Sequence, residues 1–385
     1  MLSSETDTAA YDFQNAHGPG VSALGFRVDN AQLAFDEALR RGATAAPSGA
    51  LTLDVPAIVG IGGSLIYFIE PRGETSLLDF AYSDVVAAEG AGKGLLTVEH
   101  LTNNVEKGTL GHWSNFYRDV FGFTEVRKFD IRGEQTGLLS YALRSPDGSF
   151  CIPINEGTEE KSQIEEYLRE YKGPGIQQIA FLATDLLSSL DQMKGGPVEF
   201  LDIDDQYYET VFDRVPDVME DHAKIQELQV LVDGDPEGYL LQIFTRNLCG
   251  PTFIELIQRK NQLSFGEGNF GALFRSIERD QERRGVLEDL RVESDALTVG
   301  VHGSCRRARL EILHRSSIVH ESLHTNCVWL LADALGVRAR PIACGRVEGA
   351  IAIKLALPAV AVVHALVFHR VAVIGDDPGV ATAVA

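Results

Sequence analysis

The sequence predicts an α+β fold in which tandem βαβββ modules form cupped, mostly antiparallel sheets with the helices outside. The main observation is an internal repeat. VSALGFRVDN at residues 21–30 echoes IQQIAFLATD at residues 176–185, and apolar residues alternate in both as on half-buried strands. An amphipathic helix follows each copy, AQLAFDEALRRG in the first and LLSSLDQMKGG in the second. A third unit begins at residues 95–105 with LLTVEHLTNNV and continues through GHWSNFYRDVFG to the strand FTEVRKFDI.

Residues at the ends of these segments support the same assignment. Asp29 or Asn30 is placed to cap the first helix, and Gly42 is placed to end it. GGSLIYFIE at residues 62–70 matches EGYLLQIFT at residues 237–245, since each is a strand introduced by glycine. Each unit is therefore a strand, a helix and then several strands, and two such units form one domain.

Composition and charge narrow the classes of function. The chain has 385 residues, 45% hydrophobic and 23% charged, which is enough for two or three globular domains. A net charge of −21 argues against nucleic acid or an anionic membrane as the main partner. The most apolar stretch, residues 355–368, is shorter than the roughly 20 residues of a membrane-spanning helix. The first residues lack the features of a signal peptide, and the five cysteines form no CxxC pair, so a reduced, cytoplasmic location is expected.

The sequence changes character near Leu287. Up to that residue the chain holds 24 Lys and Arg against 45 Asp and Glu, whereas from Glu288 onward it holds 10 of each. The C-terminal part also carries six of the ten histidines and three of the five cysteines, without the ligand spacing of a zinc site. We therefore expect residues 288–385 to be a separate tail, either disordered or an out-of-frame or foreign extension.

Two polar side chains in apolar strands are candidate metal ligands. His100 lies in TVEHLTNN, and Glu255 lies in PTFIELIQRK, where alternation turns it away from its apolar neighbours. Each also has a simpler interpretation, as a structural histidine and as a surface carboxylate. Together they indicate a site that a second histidine would complete as the facial triad of non-haem Fe(II) oxygenases. The repeat places that third position on the first strand of the next unit, where the residue is Gln178.

Several amides also stand in apolar surroundings. Gln242 lies in the strand LLQIF, Asn155 follows FCIPI, and Gln163 precedes an amphipathic helix. Buried amides need hydrogen-bond partners, so each is either a structural amide or a contact for a polar ligand.

A glycine-rich turn precedes a charged amphipathic helix in SFGEGNFGALFRSIERDQERRG, residues 264–285. Phe265 and Phe270 flank Asn269 in this turn. No GKS or GKT follows, which disfavours a phosphate loop. A helical lid over a pocket is the better interpretation.

Many long motifs, in order along the chain, resemble the 4-hydroxyphenylpyruvate dioxygenase family of the vicinal-oxygen-chelate superfamily. Between residues 95 and 287 they are VEHLTNNV, RSPDGSFCIPINEGTEEKSQIEEYL, GPGIQQIAF, FLDIDDQYYETV, GYLLQIFTRN, PTFIELIQRK and FGEGNFGALFRSIERDQERRG. Weaker similarity covers residues 18–70, including LDVPAIVGIGGSLIYF. The resemblance implies a vicinal-oxygen-chelate domain at residues 1–90 whose first module is missing. It implies a second, catalytic domain at residues 91–287, while nothing is recognised in residues 288–385.

The resemblance also implies a site. The family's first histidine ligand falls on His100 and its glutamate ligand on Glu255. Its second histidine ligand falls on Gln178, so this chain departs from the family at the metal itself. The family's substrate and lid contacts fall on residues of the same type here, namely Ser140, Asn155, Gln163, Gln177, Gln242, Phe244, Phe253, Phe265, Asn269 and Phe270.

The implied activity is the Fe(II)-dependent conversion of 4-hydroxyphenylpyruvate and O2 to homogentisate and CO2, in tyrosine and phenylalanine catabolism. Gln178 offers a carbonyl oxygen, a weaker ligand for Fe(II) than imidazole, so reduced iron affinity and turnover are expected. Two alternatives stay open: 4-hydroxymandelate synthase, and a catalytically inactive fragment or binding protein. The missing module would leave a sheet edge and an apolar face uncovered, so assembly into a homo-oligomer is expected.

Overall fold

The structure, a computed structural model, describes residues 9–47, 55–70 and 93–287 and a short strand near the C-terminus. The helices of this part are α1 (Ala9–His17), α2 (Ala31–Arg40), α3 (Leu110–Phe121), α4 (Gln163–Tyr171), α5 (Leu186–Met193), α6 (Asp205–Tyr208), α7 (Val211–Arg214), α8 (His222–Glu227) and α9 (Phe270–Arg283). The strands are β1 (Gly20–Arg27), β2 (Ala57–Val59), β3 (Leu65–Ile69), β4 (Leu95–Val105), β5 (Thr124–Arg132), β6 (Gly137–Arg144), β7 (Cys151–Gly157), β8 (Gly175–Ala183), β9 (Leu231–Asp235), β10 (Gly238–Phe244), β11 (Phe253–Lys260) and β12 (Val362–Ala365). None of the described helices is both long enough and apolar enough to cross a bilayer.

Two βαβββ modules build an eight-stranded sheet in the order β5-β6-β7-β4-β8-β11-β10-β9. In each module the last three strands form an antiparallel meander, and the last of them pairs in parallel with the module's first strand. The two first strands, β4 and β8, pair antiparallel and join the modules. Five of these seven strand pairs are antiparallel, which confirms the predicted α+β fold of tandem modules.

A four-stranded sheet, in the order β12-β1-β3-β2, contains the N-terminal unit. β1 pairs in parallel with β3 and with β12, while β2 pairs antiparallel with β3. The predicted match of residues 62–70 with residues 237–245 is therefore wrong by one strand. β3 pairs in parallel with the first strand of its unit and so corresponds to β11, not to β10. A glycine before each strand made the two segments look equivalent.

The predicted domain boundaries at residues 90 and 287, and the missing first module, stay predictions. Apart from β12, the predicted tail of residues 288–385 lies outside the described residues, as do residues 71–92.

The predicted ends of the first helix are confirmed. The Asn30 side chain accepts a hydrogen bond of 2.8 Å from Leu33 N and caps the start of α2. The helix ends at Arg40, and Gly42 follows with a φ of 95°, a left-handed conformation that glycine adopts without strain.

The two sheets share one apolar core. Phe26 of β1 is fully buried, with its ring 5.2 Å from that of Phe121 and 6.2 Å from that of Phe150. A second contact joins α4 to β1, because a Cβ on Gly20 would overlap the Tyr171 ring. The N-terminal unit and the larger sheet are therefore packed against each other through aromatic side chains.

A buried carboxylate fixes α9 to the larger sheet. Glu278 accepts hydrogen bonds of 2.9–3.0 Å from the backbone N–H groups of Glu134, Gln135 and Thr136 and from the Thr136 hydroxyl. These residues form the turn between β5 and β6. The contact anchors the helix that follows the glycine-rich turn, and so places that turn at the sheet.

Candidate metal centre

Three adjacent strands carry the predicted metal ligands at neighbouring positions. In the register of the sheet, His100 of β4 lies opposite Ala180 of β8, which lies opposite Glu255 of β11. Gln178 precedes Ala180 by two residues on β8, so alternation places both side chains on the same face. Ala180 is fully buried, and its small methyl group leaves room for the two larger side chains beside it.

The three polar groups meet at their tips. His100 Nε2 lies 3.1 Å from Glu255 Oε2 and 3.0 Å from Gln178 Nε2. Gln178 Nε2 also donates a hydrogen bond to Glu255 Oε2. Because His100 and Glu255 are 4% and 3% exposed, these contacts replace most of the water that would otherwise stabilise the polar groups.

A β-bulge brings a second carboxylate to the histidine. The register of β4 against β8 shifts between Val98 and His100, so Glu99 is an extra residue in β4. Glu99 Oε2 lies 2.5 Å from His100 Nδ1, and Glu99 Oε1 accepts a hydrogen bond of 3.0 Å from Arg259 Nε. Regular alternation would turn Glu99 to the other face of the sheet, so the bulge is what permits this contact.

Two neighbouring carboxylates determine the direction of the pKa shift of His100. Burial disfavours the charged imidazole, but the carboxylates of Glu255 and Glu99 outweigh burial and raise the pKa of His100 to about 9. Burial likewise disfavours the ionised form of Glu99, but His100 and Arg259 outweigh it and lower its pKa to about 2. The two carboxylates therefore favour the protonated form of His100 at neutral pH.

A row of amides lies next to this centre on the same face. Asn155 of β7 is opposite both Ser140 of β6 and Asn104 of β4. Asn155 Nδ2 donates to Asn104 Oδ1 at 3.4 Å, and Asn104 Nδ2 donates to Gln177 Oε1 at 2.6 Å. The register of β4 against β8 shifts a second time, between Thr102 and Asn103 of β4, so Gln177 is an extra residue in β8. This bulge lets Gln177 reach the row of amides, although regular alternation would turn it to the face opposite its neighbour Gln178.

Aromatic rings form the apolar part of the site. The Phe265 ring stands edge-on to His100 at 6.3 Å and to Phe129 at 6.0 Å. Phe129 in turn lies 5.3 Å from Phe270. On the other side, Phe244 is opposite Glu255 in the register, and its ring lies 6.3 Å from that of Phe253.

The glycine-rich turn closes onto two buried amides. Gly266 has a φ of 76°, and a Cβ at this position would overlap the Gln242 side chain. Asn269 Oδ1 accepts hydrogen bonds from the Tyr207 hydroxyl at 2.7 Å and from Arg214 Nη2 at 3.2 Å. Gln242 Oε1 and Asn269 Nδ2 are buried and have no hydrogen-bond partner among the described residues, as expected of groups that contact a polar ligand.

The donor set fits a divalent cation if the Gln178 amide is turned. Two ligand atoms at right angles and about 2.1 Å from a metal are about 3.0 Å apart, which matches the distances from His100 Nε2 to Glu255 Oε2 and to the tip of Gln178. An amide nitrogen is a donor of hydrogen bonds and not a ligand, so Oε1 must replace it. Within the described residues no three His, Cys, Asp or Glu side chains are arranged to hold a metal.

Comparison with known proteins identifies the family. Residues 1–83 match a family described as hydroxyphenylpyruvate dioxygenase, N-terminal, and residues 100–243 match the glyoxalase/bleomycin resistance protein/dioxygenase superfamily. The chain is 56% identical to protein MelA of Shewanella colwelliana, over 74% of this chain and 84% of that protein. It is 45% identical to 4-hydroxyphenylpyruvate dioxygenase of Legionella pneumophila, over 72% of this chain and 80% of that protein. The chain belongs to the 4-hydroxyphenylpyruvate dioxygenase family.

The fold comparison agrees with this family. A variant of 4-hydroxymandelate synthase from Streptomyces coelicolor is 28% identical, with a TM-score of 0.59, over 72% of this chain and 81% of that structure. The predicted vicinal-oxygen-chelate fold is therefore confirmed.

The structure brings the residues that the family resemblance indicated to one region. The strand residues among them share the face of His100, and Gln163, the first residue of α4, lines an opening of about 370 Å³ together with Gln177 and Phe253. Their roles as ligands and substrate contacts stay predictions.

Sequence reasoning missed Glu99, Asn104, Phe129 and Arg259. A signal was present for Phe129, the one aromatic residue in the polar strand FTEVRKFDI after its first position. No signal marked Glu99, because its placement depends on the bulge.

Proposed function

We propose that this chain is an Fe(II)-dependent 4-hydroxyphenylpyruvate dioxygenase whose iron affinity and turnover are reduced by Gln178. The substrates are 4-hydroxyphenylpyruvate and O2, and the products are homogentisate and CO2, in tyrosine and phenylalanine catabolism. The observation that carries the proposal is the meeting of His100, Gln178 and Glu255 on a face that also carries amides and aromatic rings, with His100 Nε2 3.1 Å from Glu255 Oε2 and 3.0 Å from Gln178 Nε2.

Three side chains would hold the ion: His100 through Nε2, Glu255 through its carboxylate and Gln178 through Oε1 after rotation of its amide. When bound, Fe(II) supplies the redox chemistry that couples decarboxylation of a 2-oxo acid to the use of dioxygen. The imidazole must be neutral to act as a ligand, so the proton that Glu255 and Glu99 favour on His100 leaves when the ion binds.

The rest of the face would bind and orient the substrate. The rings of Phe244, Phe253, Phe265 and Phe270 exclude water and pack against an aromatic ring. The buried amide atoms without partners, on Gln242 and Asn269, would bind polar groups of the substrate. Ser140, Asn155, Gln163 and Gln177 would supply further hydrogen bonds on the other side of the metal centre.

The test is turnover after anaerobic loading with Fe(II), in the natural chain and in Gln178→His. Oxygen uptake with 4-hydroxyphenylpyruvate and formation of homogentisate, larger in Gln178→His, would support the proposal. Formation of 4-hydroxymandelate would instead assign a synthase. An absence of oxygen uptake in both chains would favour a binding protein without catalysis, the alternative that Gln178 itself suggests. The cytoplasmic location and self-association expected from the sequence remain predictions.

A further inference from the structure

Arg259 holds the carboxylate that contacts the histidine. Its Nε donates to Glu99 Oε1 at 3.0 Å, while Glu99 Oε2 contacts His100 Nδ1 at 2.5 Å. The side chains of Arg259 and Glu99 are 12% and 20% exposed, so little water competes for these contacts. A carboxylate at one imidazole nitrogen fixes the orientation of the ring and leaves the other nitrogen for a metal.

The same guanidinium also holds the turn that precedes Phe265. Arg259 Nη1 donates to the carbonyl of Gln262 at 3.0 Å and to the carbonyl of Ser264 at 2.7 Å. Ser264 N donates to Gln262 Oε1 at 3.0 Å and closes the turn. Phe265 follows directly, with its ring edge-on to His100. The position of this ring therefore depends on the side chain that also holds Glu99.

The backbone on each side of this turn is in the left-handed region. Asn261 has a φ of 56° and Gly266 a φ of 76°, so the segment between them changes direction at both ends. An arginine can bind a carboxylate through one nitrogen and carbonyl oxygens through another, because its donors form a rigid planar fork. A lysine has one charged nitrogen and cannot span both groups.

We propose that Arg259 is a positioning residue that couples the 262–265 turn to His100. Through Glu99 it orients the imidazole, and through two backbone carbonyls it holds Phe265 edge-on to that imidazole. Loss of the guanidinium therefore disturbs the positions of His100 and Phe265 together. The metal-binding part of this inference rests on the proposed function, whereas the coupling of turn and imidazole does not.

The test compares Arg259→Lys and Glu99→Gln with Arg41→Lys as the matched control. Arg41 is also an internal arginine, 18% exposed, that contacts a carboxylate at Glu37 and the carbonyl of Val120. Hydrogen exchange followed by mass spectrometry reports the turn, and nitrogen–proton NMR of the imidazole reports His100. Metal affinity is measured by competition with a chelator for Mn²⁺ and Fe²⁺, in the Gln178→His background.

Arg259→Lys is expected to speed exchange across residues 262–268 by roughly tenfold or more, because charged hydrogen bonds that hold the turn are lost. It should also shift the imidazole signals and lower metal affinity by roughly 10–100-fold, the usual effect of losing a partner of a metal ligand. Glu99→Gln should reproduce the imidazole and affinity changes without the change in exchange. Arg41→Lys should change none of the three.

The coupling is wrong if Arg259→Lys changes exchange of the turn but leaves the imidazole signals as they are, or the reverse. A Gln178→His chain that binds neither ion would reject the proposed function instead, and the exchange and NMR results would still decide the coupling. Thermal denaturation of each variant detects a general loss of stability. Such a general loss would give Arg41→Lys the same changes as Arg259→Lys.

Discussion

The Gln178→His variant is expected to bind Fe(II) more tightly than the natural chain does. In the present arrangement the amide nitrogen donates to Glu255 and abuts His100, at the position a cation would share. A cation can gain Oε1 as a ligand only after the amide turns and gives up its hydrogen bond to the carboxylate. A hydrogen bond to a charged group contributes about 1.5–3 kcal/mol. At about 1.4 kcal/mol for each factor of ten, the natural chain loses roughly 10–100-fold in affinity from this step alone.

The assay is anaerobic competition between the protein and a chromogenic chelator for Fe²⁺, without substrate. Gln178→His should bind at least tenfold more tightly than the natural chain, by the estimate above. The matched control is Gln177→His, which adds an imidazole at the neighbouring residue, where the amide accepts a hydrogen bond from Asn104. Equal affinities of Gln178→His and the natural chain, or an equal gain in Gln177→His, would refute the reasoning.

Three further predictions follow from other contacts. Gly266→Ala should weaken the binding of 4-hydroxyphenylpyruvate, measured by calorimetry, because the added Cβ would overlap Gln242 at a residue with left-handed backbone. Gly271→Ala is the control and should bind normally, because its Cβ would meet only the Arg275 side chain, at ordinary contact distance. Glu278→Ala should lower the free energy of unfolding in urea by about 3 kcal/mol, since it leaves buried N–H groups of the β5–β6 turn without their acceptor; a change below about 0.5 kcal/mol would contradict this role. Between pH 4.5 and 6.5, His100 and Glu99 should both contribute fully to the stability of the chain. The contribution of His100, whose pKa rises from 6.5 to about 9, is lost as pH rises through 9, and that of Glu99, whose pKa falls from 4.5 to about 2, is lost as pH falls through 2. His100→Asn should flatten the alkaline side of this profile in urea denaturation, and an unchanged slope would count against the raised pKa.

The fold could be predicted because the repeat appears in the sequence as local patterns of apolar residues. Alternation in residues 21–30 and 176–185, each followed by an amphipathic helix, identifies the first strand of a unit before any pairing is known. Pairing itself is a tertiary property. The assignment of β3 failed for this reason, since a glycine before a strand does not show which neighbour the strand will have.

The site could be predicted only where strand alternation is regular. Glu255 lies in a regular stretch of β11, and its inward direction follows from its apolar neighbours. Glu99 and Gln177 each occupy a bulge, so alternation predicts the opposite face for both. The resemblance to a family supplied Gln177, because homologous positions carry the bulge with them. Nothing in the residues alone supplied Glu99 or its partner Arg259.

The N-terminal sheet shows that the arrangement of strands alone does not produce a polar centre like that of His100, Gln178 and Glu255. By the repeat, Ala23 of β1 stands where Gln178 stands on β8, and by its pairing with β1, Tyr67 of β3 stands where Glu255 stands on β11. Ala23 and Tyr67 are buried in a cluster of apolar side chains. One backbone arrangement therefore holds an apolar core in one sheet and a polar centre in the other. Since the register around Gln178 is that of the polar centre, with His100 and Glu255 in contact, Gln178→His should change the chemistry of one side chain at this centre without changing the strands around it.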